Sequence, residues 1–62
     1  MKVKELIRII ELDGWYFVRQ KGSHMVYKHP SKIGNVIIAN HGLNKDVPNG
    51  TENSILKQAG LK

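Results

Sequence analysis

The chain has 62 residues, with ten Lys/Arg against five Asp/Glu for a net charge of +5, and no cysteine. A chain of this length makes one domain, expected over residues 1–62, and buries only about 60% of the surface its unfolded form exposes, which excludes a multi-domain enzyme and a deep enclosed cofactor pocket. Disulfides, thiolate zinc sites and thiol nucleophiles are excluded too, so folding rests on packing the 40% of residues that are hydrophobic.

Val3, Leu6, Ile7 and Ile10 fall on one arc at helical spacing, with Lys4, Glu5, Arg8 and Glu11 on the opposite side, which predicts a helix over residues 3–12. Asp13-Gly14 supplies its stop. The charges in its first turns rule out the uninterrupted apolar stretch of a signal peptide or membrane span, so a cytoplasmic protein without a membrane partner is expected. Trp15 to Gln20 is dense in aromatic and β-branched residues and reads as a strand. Lys21-Gly22 is read as a tight turn, Ser23 to His29 as a second strand ended by Pro30-Ser31, and Val36 to Ala39 as a third. Asn40 to Gly50 is rich in Asn, Gly and Pro and reads as a connecting loop. Thr51 is expected to cap a final helix through its hydroxyl, with Ile55, Leu56 and Ala59 on the apolar face and Gly60 at the end. The predicted class is α+β in the order α-β-β-β-α, a three-stranded antiparallel sheet with two helices on one face.

Charge excess is concentrated upstream: residues 1–32 hold seven Lys/Arg and three acids, residues 33–62 three and two. A polyanion is one explanation, because basic side chains that neutralise phosphates release counterions; simple solubility is the other. A two-residue turn at Lys21-Gly22 sets Arg19 directly opposite His24, with Phe17 and Val26 on the same face and Lys21 close by. Histidine exchanges protons near neutral pH, so His24 can take the proton of a ribose 2′-hydroxyl and return one to the leaving 5′-oxygen, with Lys/Arg stabilising the phosphorane. An ordinary hydrogen-bonded strand histidine fits the sequence as well. The spacing of His24, His29 and His41 matches no helix-face pair and no cysteine joins them, so no metal is expected. Ser23 reads as a turn-flanking hydroxyl, since adjacent strand residues point to opposite faces and it cannot pair with His24 as a nucleophile. Tyr27 reads as sheet packing and Trp15 as core. The backbone at Gly50-Thr51 suits either simple capping or a phosphate. A non-catalytic RNA-binding module is the alternative function, and no helix-turn-helix spacing supports a DNA reader.

Gly14-Trp15, Arg19 to Tyr27 with Gly22-Ser23-His24 at its centre, His41, Gly50-Thr51 and Ser54 to Leu61 together resemble the HicA toxins of HicAB toxin–antitoxin modules, over nearly the whole chain. The resemblance implies a double-stranded-RNA-binding-like fold and a metal-independent endoribonuclease, an mRNA interferase without cofactor, that cleaves messenger RNA and arrests growth. On that reading His24 is catalytic and Arg19, Lys21, Ser23 and Lys28 contact RNA. The implied partners are mRNA and a HicB antitoxin covering the histidine's surroundings, with a higher-order toxin–antitoxin assembly as a further expectation. Two positions depart from the family's habit: Ala39, where proline is common, and Glu52-Asn53, where an apolar-basic pair is common.

Overall fold

α1 (Val3–Leu12) starts without a side chain bonding its first turn from the N-cap. Instead, the N–H groups of Val3 and Lys4 donate to the carbonyls of Lys45 and Leu43 at 2.9 and 3.0 Å, so the loop after the third strand satisfies donors that a helix leaves orphaned. Glu5 adds a return contact, its Oε1 accepting from the Lys2 N–H at 2.9 Å. At the other end the N–H of Trp15 reaches the Ile10 carbonyl at 3.1 Å and that of Gly14 the Glu11 carbonyl at 3.0 Å, the paired bonds of a Schellman stop. Gly14 sits at φ +107°, as that stop requires.

The computed structural model describes residues 1–62 and continues with β1 (Tyr16–Lys21), β2 (His24–Lys28), β3 (Val36–Ala39) and α2 (Asn49–Gln58). The three strands form one antiparallel sheet in sequential order, giving the α-β-β-β-α arrangement that the sequence predicts. Val3, Leu6 and Ile10 of α1 and Ile55, Leu56 and Ala59 beside or within α2 enclose Tyr27, Val36 and Ile38 of the sheet, together with Trp15 and Val47, in one core. Alternation along β2 and β3 leaves the other face of the sheet uncovered by helix.

The hairpin differs from its predicted register. The turn residues are Gly22-Ser23 and not Lys21-Gly22, because Gly22 takes φ +60° at the first central position while Ser23 keeps a negative φ, the type II′ combination. Lys21 therefore pairs with His24, and Arg19 pairs with Val26. A bulge at Val18 then flips the alternation, so Phe17 stands opposite Tyr27 on the helix side with their rings edge-to-face at 5.9 Å, away from the face that carries His24.

The start of α2 also differs from expectation. Pro48 occupies the N-cap and makes no side-chain cap bond, the helix opens at Asn49, and Glu52 N–H makes the bond back to the Pro48 carbonyl at 2.9 Å. Thr51 is the third helical residue, which frees its hydroxyl from capping. Glu52 lies 3.5 Å from the Met1 nitrogen and in the first turn, where an acid suits the helix dipole. A Schellman stop at Gly60 ends α2, with Leu61 N–H on the Leu56 carbonyl at 2.8 Å.

His29 belongs to a knot that ties both helix ends to the sheet. Its Nδ1 accepts from the N–H groups of Ser31 and Lys32 at 3.1 and 3.2 Å, which leaves the proton on Nε2 to donate to the Asp13 carbonyl at 2.6 Å. Lys32 Nζ bonds the Asp13 carboxylate and, at 3.0 Å, the Ala59 carbonyl, which also accepts from Trp15 Nε1 at 3.2 Å. The Lys32 ammonium holds the Asp13 pKa below its ordinary 3.8, against a smaller opposing effect of desolvation. A depressed carboxylate pKa stabilises the fold fully above the unfolded value and loses that contribution as pH falls through the folded one. Asp13→Asn should accordingly flatten the fall in thermal stability on acidification below pH 3.8; an unchanged acid slope would show that the pair does not couple to folding.

Candidate functional site

Register and alternation put Tyr16, Arg19 and Lys21 of β1, His24, Val26 and Lys28 of β2, and Ile37 and Ala39 of β3 on the helix-free face. Every charged side chain in that set is basic. Val26 is 7% exposed between Arg19 and Ile37, whereas Tyr16 and Ile37 are about half exposed, so the middle of the face is filled and its margins are open. Arg19, Lys21, His24 and Lys28 are exposed. The face thus combines positive charge with accessible apolar and aromatic surface, a combination that suits nucleic acid.

His24 begins β2 immediately after the turn. Its cross-strand neighbours are Lys21 on one side and Ala39 on the other, so a lysine lies directly across from the imidazole. His29, by contrast, is built into the fold through hydrogen bonds at both ring nitrogens, whereas His41 is exposed like His24. His24 lines a shallow groove of about 400 Å³ that runs between β3 and α2, walled on the helix side by Thr51, Ser54 and Gln58. A smaller depression of about 210 Å³ lies around the corner and contains His41, Lys45, Asp46 and Val47. Ala39, Thr51 and Ile55 line both, so a single ridge separates His24 from His41. The three histidines occupy three places, and no group of three or more His, Asp or Glu side chains converges.

Of the residues singled out in the sequence, His24, Lys21, Arg19 and Lys28 share the open face, with Lys21 in the place opposite His24 that Arg19 was predicted to hold. Ser23 is a turn residue, partly buried, whose carbonyl accepts from Asn40 N–H at 2.7 Å and so ties the turn to the end of β3. Tyr27 is 1% exposed on the helix side of the sheet; burial, and secondarily the charge of Glu11, push its pKa up, so the phenol stays protonated within the core. Trp15 is core, as expected. Ser54 and Gln58 carry no chemical signature in the sequence that marks a site; their one signal is spacing, since with Thr51 they repeat at i, i+3 and i+7 on one helix face.

No helix is long and apolar enough to cross a membrane. A family model described as HicA toxin of bacterial toxin-antitoxin matches residues 3–61, nearly the whole chain. Among curated proteins, none matches the chain.

Proposed function

The chain belongs to the HicA family of toxins from bacterial toxin–antitoxin modules, and from that premise we propose that it is a metal-independent endoribonuclease acting on messenger RNA in the cytoplasm, with His24 as its catalytic residue. The observation that carries this reading is the position of His24: exposed, directly across from Lys21, on a sheet face whose charged groups are all basic.

The chemistry follows from that placement. Neutral His24 takes the proton of a ribose 2′-hydroxyl, and O2′ attacks the adjacent phosphorus. The extra negative charge of the pentacoordinate phosphorane is met by Lys21, with Arg19 and Lys28 holding flanking phosphates and Ser23 shaping the turn against the backbone. The imidazolium then returns the proton to the departing 5′-oxygen, leaving a 2′,3′-cyclic phosphate and a 5′-hydroxyl. Basic groups and a proton carrier suffice for this route, and the shallow face needs no enclosing pocket because RNA presents its backbone outward.

A family of toxin–antitoxin toxins implies an antitoxin partner. We take that partner to be a HicB-like protein that covers the open face, in a complex that can be of higher order. Product analysis tests the mechanism. Cleaved RNA should carry 2′,3′-cyclic phosphate ends, and a 2′-O-methyl substrate should resist cleavage; 3′-hydroxyl ends, or cutting of the methylated strand, would overturn it. Binding to RNA without any scission would favour instead a module that represses translation by occupancy.

A further inference from the structure

The groove beside His24 differs in character from the strip that leads to it. Arg19, Lys21 and Lys28 make the open face basic, yet the groove between β3 and α2 contains no charged lining side chain apart from the titratable His24 itself. Its apolar surface comes from Ile37, Ala39 and Ile55, and its polar surface from Thr51, Ser54 and Gln58 on one face of α2. Those three polar side chains are exposed and make no hydrogen bond to another group of the chain, so their donors and acceptors are available to a ligand.

No basic side chain lines the groove, so a phosphate there would meet only the first-turn N–H groups of Gly50 and Thr51, while the basic side chains that would neutralise it lie on the other side of His24. A neutral, flat group with an apolar face and hydrogen-bonding edges matches it: the face rests on the aliphatic side chains, and the edge meets an amide and two hydroxyls. Single-stranded RNA offers such groups when bases unstack, and protein amides read base edges in pairs of hydrogen bonds. The volume, about 400 Å³, falls within the range of small-ligand sites.

We infer that this groove is a base-binding subsite that takes one unstacked nucleobase next to the phosphate at His24, with Gln58 and Ser54 selecting which base it is. The inference rests on the ribonuclease reading above and adds a specificity that the basic strip, which recognises only backbone, lacks. Gln58 is the principal reader, because its amide both donates and accepts; Ser54 supplies a second, adjustable contact.

The test uses the full chain and short single-stranded RNAs carrying each of the four bases in turn at the two positions flanking the cleaved bond. The wild type should show, at one position, a spread in kcat/KM between best and worst base of about tenfold or more, the discrimination of one good side-chain-to-base contact. Gln58→Leu, which keeps bulk and removes the amide, and Ser54→Ala should compress that spread. In parallel, fluorescence polarisation with uncleavable 2′-O-methyl versions of the same strands reads base preference without chemistry. A flat wild-type profile in both assays overturns the subsite, as does a spread that both variants leave unchanged. Base-dependent binding that Gln58→Leu abolishes, together with no cleavage by the wild type, would sink the ribonuclease reading and leave the subsite standing. A protein partner that protects the groove while the base profile of the variants stays at wild type would assign the groove to that partner instead.

Discussion

Purified His24→Ala should lose RNA cleavage and growth inhibition while keeping its fold. General acid–base catalysis by one side chain is worth about a hundredfold to ten-thousandfold, and in the proposed mechanism one imidazole serves both proton transfers, so we expect a fall of about a thousandfold in kcat. Stability should change by no more than about 0.5 kcal/mol, because His24 is exposed and holds no other element in place. Thermal unfolding and single-turnover cleavage, measured on the same preparation, separate loss of chemistry from loss of fold. Lys21→Ala should follow part of the way, and by more than Arg19→Ala, because the Gly22-Ser23 turn puts Lys21 and not Arg19 across from the imidazole. Undiminished cleavage by His24→Ala would remove the histidine from the mechanism altogether.

The largest effect on stability is expected far from that face, at Gly14. An alanine there must hold φ +107°, and its Cβ would stand 2.8 Å from His29 Nε2, closer than carbon and nitrogen tolerate. The backbone conformation alone costs about 1–2 kcal/mol, and pushing the imidazole off the Asp13 carbonyl adds about 1–3 kcal/mol for a part-buried hydrogen bond. A total near 3 kcal/mol lowers the melting temperature of a domain this small by about 10 °C or more. The clash has a specific partner, so it can be tested by a double-mutant cycle. In a His29→Ala background Gly14→Ala should cost less, since the Cβ then meets space, leaving mainly the backbone penalty. Strict additivity of the two substitutions would show that the imidazole is not what Gly14 accommodates.

Helix boundaries were legible where a residue's type carries the geometry. Gly14 and Gly60 mark both helix stops, and the apolar spacing of α1 and of Ile55, Leu56 and Ala59 identifies the buried side. The four-residue run Val36–Ala39 stands out as a strand for the same reason. The hairpin register was not legible, because it depends on which side of Gly22 the turn extends and on a bulge at Val18, a residue that nothing in its type distinguishes from its strand neighbours. The two deviations together exchange Arg19 for Lys21 opposite His24 and move Phe17 to the other face. The basic strip and His24 were therefore identifiable as a set before their pairing was. The wall of Thr51, Ser54 and Gln58 was visible as a spacing but becomes a wall only because α2 packs beside β3, a contact between segments distant in sequence. The Asp13–Lys32–Ala59 knot was invisible for the same reason: its three members are charged or small residues with no local pattern, gathered by tertiary packing.

The unaided start of α1 bears on the order in which the chain acquires structure. A ten-residue helix is marginal in water by itself, and the donors of its first turn find their acceptors at residues 43 and 45. α1 is therefore among the last elements to be completed, since its first turn waits for residues 43 and 45 and its buried face for the α2 residues that close the core. Nascent chains of this protein should remain open until the loop and α2 emerge, and the basic face should then assemble together with the rest in one cooperative step. For the proposed activity on messenger RNA, that coupling means the basic face forms only together with the complete fold.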